Sequence, residues 1–177
     1  PSALRYPRDN VATEPASEHP PAFELGKANR LADGDDLAIL AYGVTAYDAL
    51  KARDELRAQG YSVAVYDARF AKPVDHELIA ELIEAGTPIV TVEDHALQGG
   101  FGTCVLEACA DHGLSSAGIH RLGLPDHWIY QGSRSGQLRQ AEIDAEAISA
   151  KVREVLDASS AQDPEIRIPT GARKSVR

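Results

Sequence analysis

The chain predicts an α/β layer fold with a largely parallel sheet, and three observations carry that expectation. Short apolar runs alternate with segments of helical spacing from about residue 37 to residue 156. Several of the runs and helical segments stop at glycine, as buried strands and helix ends in such folds do. With 177 residues, 44% of them apolar and 25% charged, the chain is long enough to bury a sizeable core in one domain.

The elements follow in order. LAILAYG (Leu37–Gly43) is an apolar run closed by glycine and reads as a buried parallel strand. Thr45 is placed to cap a helix to Gln59, with Ala46, Ala49, Leu50, Arg53 and Leu56 at helical spacing and Gly60 as the stop. SVAVYDA (Ser62–Ala68) is the second strand. Asp75 is placed to cap a helix carrying Leu78, Ile79, Leu82 and Ile83, closed by Gly86. PIVTVED (Pro88–Asp94) is the third strand, and Gly99–Gly102 opens a helix to about Ala110. Gly118–Leu122 is a fourth, short strand. A last helix starts near Asp144 and carries Ile148, Val152, Val155 and Leu156.

Composition sets the flanks. Residues 1–22 read as the end of a preceding domain followed by a linker, because Pro15, Pro20 and Pro21 fall among Ser, Thr and Glu. The body runs over residues 23–158. Residues 159–177 are polar, carry Pro164 and Pro169, and read as a flexible tail. The chain contains no methionine, and with its opening stretch SALRYPRDN this reads as a fragment of a longer polypeptide. The formal net charge of −9 disfavours nucleic acid and anionic membranes as partners, despite the basic run Arg167–Arg177. No run approaches the ~20 apolar residues that span a bilayer. Cys104 and Cys109 lie five apart, poorly placed on a helix to bridge, and read as small buried apolar residues in a reducing compartment. A cytoplasmic location is the expectation.

Few residues suggest chemistry. Glu93-Asp94-His95 stands at the carboxyl end of the third strand, the edge where open α/β sheets usually bind ligands. It is a candidate acid–base or metal group, but the spacing is too tight for a chelate, and bonding to the turn or to a neighbouring domain accounts better for it. Gly99-Gly100-Phe101-Gly102 precedes a helix whose N–H groups suit an anion. It lacks the lysine of a P-loop and the Rossmann spacing, so a tight strand-to-helix turn with Phe101 packed inward explains it better. Asp67 and Arg69 are placed to pair and pin a loop that ends in the cap Asp75. His112, His120 and His127 have no ligand spacing with one another. Trp128 is either core or interface. Arg8, in Arg5-Tyr6-Pro7-Arg8, has a planar fork that suits phosphate, although by chemistry alone it is an ordinary surface arginine.

Four segments together change these odds. DARFAKPVD (Asp67–Asp75), VTVEDHALQGGFG (Val90–Gly102), RLGLPD (Arg121–Asp126) and QGSRSGQL (Gln131–Leu138) stand in one order and spacing. In that arrangement the chain resembles the C-terminal domain of the 1-deoxy-D-xylulose-5-phosphate synthase family, which is transketolase-like and thiamine-diphosphate-dependent. The resemblance covers about Leu25 to Leu156, plus the Tyr6-Pro7-Arg8 segment. It implies a three-layer fold with a mostly parallel sheet of about five strands. It implies a parent enzyme, a transferase, that condenses pyruvate with D-glyceraldehyde 3-phosphate to 1-deoxy-D-xylulose 5-phosphate and carbon dioxide. Thiamine diphosphate and magnesium would be held by upstream domains of the same chain, with no cofactor, metal or catalytic residue in this fragment. A homodimeric parent and an inactive, interface-forming fragment are implied. The family's arginine in a YPRGN segment implies that Arg8 holds the acceptor phosphate, and here Asp9 stands where that pattern has glycine. Two alternatives stay open. One is the C-terminal domain of another thiamine enzyme, a transketolase or a 2-oxoacid dehydrogenase β subunit. The other is a free-standing, non-enzymatic interaction module.

Overall fold

The computed structural model describes residues 1–3 and 22–162. Arg8, the one residue expected to bind substrate, therefore lies outside the described residues. The elements are β1 (Asn29–Ala32), β2 (Leu37–Tyr42), α1 (Thr45–Ala58), β3 (Val63–Asp67) and α2 (His76–Glu84). They continue as β4 (Ile89–Ala96), α3 (Phe101–Asp111), β5 (Ile119–Leu124), α4 (Arg134–Gln140) and α5 (Ala145–Gln162).

The strands form one five-stranded sheet in the order β1-β3-β2-β4-β5. β2 pairs in parallel with β3 and with β4, and β4 in parallel with β5. Only β1 runs antiparallel, along β3. The central strands are buried on both faces, which is why they read as continuous apolar runs. Their side chains alternate between two cores. Leu37, Ile39, Ala41, Val63, Val65, Val90 and Val92 meet α1 and α5 through Ala49, Ala52, Leu56, Ile148 and Val152. Ala38, Leu40, Ala64, Tyr66 and Ile89 meet α2 and α3 through Ile79, Phe101, Val105 and Cys109. The result is three layers, helices on both faces of a mostly parallel sheet.

Local chemistry sets the helix ends. Asp75 caps α2 as its position suggests: Oδ1 accepts the Leu78 N–H at 3.2 Å, while Oδ2 accepts the Ala28 N–H at 2.9 Å and pins the lead-in to β1. Thr45 does not cap α1. The helix starts from Val44 with no side-chain cap, and the buried Thr45 hydroxyl lies 3.1 Å from the carbonyl oxygens of both Tyr42 and Val92. A long-range carbonyl on β4 therefore competes for the hydroxyl that sequence proximity assigns to the helix start. Asp144 accepts the Ala147 N–H at 3.0 Å ahead of α5, which runs on to Gln162, past the expected body limit at 158.

Candidate functional site at the carboxyl edge of the sheet

From β2 the chain crosses to β3 on one side, then returns to place β4 on the other side of β2. The carboxyl ends of β2 and β4 thus flank a switch point, where this fold class normally takes a ligand. Here the chain fills that crevice with its own groups. The Tyr42 ring stacks on Phe101 at 5.1 Å and 11°, and the Thr45 hydroxyl ties the start of α1 to Val92.

The anion at the start of α3 is also internal. Glu93 is completely buried, and its carboxylate accepts the Phe101 N–H at 2.5 Å and the Gly102 N–H at 2.8 Å. A carboxylate on the free N–H groups of a helix start is favoured by hydrogen bonding and by the helix dipole. Close approach explains the glycines. A Cβ on Gly100 would fall 2.1 Å from Glu93 Oε2 and 2.3 Å from the Ala96 carbonyl oxygen. One on Gly102 would fall 2.7 Å from Thr91 Oγ1. Arg121 seals the turn from β5, donating to the Leu97 carbonyl at 2.9 Å and to Thr103 Oγ1 at 3.1 Å.

The Glu93-Asp94-His95 triplet is split three ways. Glu93 turns inward to α3, Asp94 pairs with Arg134 of α4 at 2.6 Å, and His95 is exposed. No acid–base pair forms within it. Asp67 and Arg69 do approach one another, at 3.7 Å. Trp128 is 79% exposed and Tyr130 71%, which excludes the core reading. Their loop is tied down rather than loose. Gln137 donates to the Tyr130 carbonyl at 3.2 Å, the Tyr130 N–H reaches Gln140 at 3.3 Å, and Ser133 caps α4. Two aromatic rings are thereby held outward on a braced loop.

Among the described residues the histidines are dispersed apart from one pair. His76 and His112 stack at 4.5 Å and 5°, a contact between the start of α2 and the end of α3 that no sequence spacing signalled. Half-buried His120 on β5 is pushed below its ordinary value by burial and then by the Lys151 charge, against an opposing pull from Glu154. Cys104 and Cys109 are free thiols, and burial pushes the Cys109 thiol up. Among the described residues no three His, Cys, Asp or Glu side chains are grouped to hold a metal. The start of α3 is taken by Glu93, so its Phe101 and Gly102 N–H groups are not open to a diphosphate. No helix among the described residues is long and apolar enough to cross a membrane.

A three-layer sheet with this strand order and a self-filled switch point defines the class. The chain belongs to the transketolase C-terminal domain family, whose model matches residues 26–148. Within it, the chain is 40% identical over 156 residues to 1-deoxy-D-xylulose-5-phosphate synthase of Geobacillus thermodenitrificans, covering 88% of this chain and 25% of that protein. It is 43% identical over 166 residues to the same-named protein of Syntrophotalea carbinolica, covering 90% and 26%. The chain thus spans about a quarter of the length of the curated relatives it matches. Among solved structures it is similar to a split-gene transketolase described as an inactive beta4 tetramer, with a TM-score of 0.67 and 30% identity over 76% of this chain and 43% of that one. A transketolase mutant from Pichia stipitis shares the fold, with a TM-score of 0.55, 17% identity and coverage of 75% and 18%.

Proposed function

We propose that this chain is the C-terminal domain of a thiamine-diphosphate-dependent synthase that joins pyruvate and D-glyceraldehyde 3-phosphate into 1-deoxy-D-xylulose 5-phosphate with release of carbon dioxide. The product would feed isoprenoid and thiamine biosynthesis in the cytoplasm. Thiamine diphosphate and magnesium would be held by upstream domains of the same polypeptide, in a homodimer. In this reading residues 1–22 end the preceding domain and link it to a body at 23–158, with a tail at 159–177.

One observation carries the domain's own role. The place where this fold would bind an anionic cofactor is closed by Glu93 on the α3 N–H groups, while Trp128 and Tyr130 are braced outward. The domain offers surface rather than reacting groups, so its contribution is to support neighbouring domains and subunits. The inactive assembly of the similar split-gene transketolase supports a part that associates without turning over substrate. Arg8 is the exception: its guanidinium would hold the acceptor phosphate through two oxygens.

The test is made in the full-length enzyme. Arg8→Ala removes a charge-assisted contact and should raise KM for glyceraldehyde 3-phosphate about tenfold or more, leaving KM for pyruvate within about twofold. Equal effects on the two substrates would remove the phosphate role.

A further inference from the structure

We propose that a groove at the amino edge of the sheet is the docking site for this chain's own residues 164–169, with Ile166 and Ile168 as the inserted groups. That segment lies outside the described residues, just past the end of α5 at Gln162. The proposal does not depend on what the parent enzyme catalyses.

The groove lies at the end of the sheet opposite the switch point, where β4 and β5 begin. Its volume is about 460 Å³, against ~30 Å³ for one water. Ile83 near the end of α2, Ile89 at the start of β4 and Val155 on α5 line it, together with Thr87, His120 and Ser159. The polar groups there are already bonded. The Thr87 N–H donates to the Leu82 carbonyl at 2.9 Å, and the Ile89 N–H to the Gly118 carbonyl at 2.9 Å. The Ser159 hydroxyl donates to the Val155 carbonyl at 2.9 Å. Among the described residues His120 is the one titratable group of the lining, and burial favours its neutral form. A lining without a fixed charge, its backbone already paired, suits apolar side chains better than a charged small molecule.

The chain supplies such side chains at the right place. Val155 and Ser159 belong to the last turns of α5, so the segment that follows starts beside the groove. At 1.5 Å per residue Val155 stands about 10 Å back from Gln162, which about four extended residues span. Pro164 disfavours a helical Asp163 and so favours a turn out of α5. In an extended segment Ile166 and Ile168 share one face and Arg167 takes the other. Pro164 and Pro169 bound that segment and lower the freedom it loses on docking. Charge also fits. Residues 163–177 carry Arg167, Arg173, Lys174 and Arg177 against Asp163 and Glu165, on a chain of net charge −9. The groove stands at the carboxyl ends of α2 and α5, neither of which has a basic residue in its last turn, and Glu84 is exposed beside Ile83. A basic segment complements two such helix ends. Because the segment is tethered, its effective concentration is of millimolar order and a modest apolar contact suffices.

Thiol labelling of the full-length parent polypeptide tests this, with Thr87→Cys or Ser115→Cys as a reporter in the groove. Peptide masses count the native Cys104 and Cys109 separately. We expect slow labelling of the reporter with the intact tail. Labelling should be about tenfold faster in the double variant Ile166→Asp, Ile168→Asp and in a chain ending at Gln162, with Cys104 unchanged. Fast labelling with the intact tail would show an open groove and overturn the proposal. Slow labelling that both tail variants leave unchanged would overturn it too, by showing that another domain or a second copy covers the groove. Faster labelling of Cys104 in step with the reporter would mean general loosening and would equally overturn it. Ser115→Cys, at an exposed position, decides by the same criteria if Thr87→Cys does not fold.

Discussion

Glu93 shows how much one side chain decides. A carboxylate at the carboxyl end of a central strand is easily taken for chemistry, yet its two oxygens satisfy two N–H groups of α3 and bury its charge. Gln at this position keeps the shape but has a single acceptor oxygen, so one buried N–H faces an amide NH2. Glu93→Gln should cost about 2 kcal/mol, read as a shift of the urea midpoint at constant slope. An unchanged midpoint would mean that the helix start has another acceptor. His120 sets a dependence on pH. Burial and Lys151 hold its folded value below the ordinary 6.5, so on acidification the unfolded chain takes the proton first. Its contribution is complete above 6.5 and is lost as pH falls through the depressed folded value. His120→Gln should flatten the loss of stability just below that pH, and superimposable pH profiles for the two proteins would refute it.

The unit that matters at the next scale is β4, its turn and α3. The turn is a stack of close approaches: Gly100 against Glu93 and the Ala96 carbonyl, Gly102 against Thr91 and Arg121, with Arg121 bonding back to Leu97. A methyl group at Gly100 must displace backbone or the buried carboxylate, so Gly100→Ala should cost about 2–3 kcal/mol. Thermal unfolding would show it, and a loss below that of Glu93→Gln would mean that the turn yields easily. Legibility differs between elements for the same kind of reason. The Asp75 cap and the GGFG helix start were readable because their partners are near in sequence. The Thr45 cap was misread because its hydroxyl is drawn to Val92, 47 residues away. β1 was missed altogether. It is four residues long with a half-exposed pattern, and it is held by a pairing with β3 in which Arg30 meets the Tyr66 hydroxyl at 2.8 Å. α4, seven residues without a buried side chain, carries no apolar periodicity to read.

For the whole molecule, the relevant fact is what lies on its carboxyl edge. The crevice is closed, and among the described residues Phe23 on one side of the sheet and the Trp128–Tyr130 loop beyond β5 on the other stand exposed. The purified 177-residue chain should accordingly show no turnover of pyruvate and glyceraldehyde 3-phosphate even with thiamine diphosphate and magnesium added. Any turnover above background would place catalytic groups in this chain and end the structural reading.

The sequence by itself determined the layer architecture, the four parallel strands, the principal helices and the family, because each rests on local periodicity, glycine stops and ordered motifs. The tertiary structure alone decided where Glu93, Asp94 and His95 point, that the Thr45 hydroxyl serves a distant strand, and that the Arg69 Nε–H is buried without a hydrogen-bond partner. The reason is physical. An element forms from interactions a few residues apart, but the partner of a buried polar group is whatever the packed sheet brings within 3 Å, and chain order does not carry that distance.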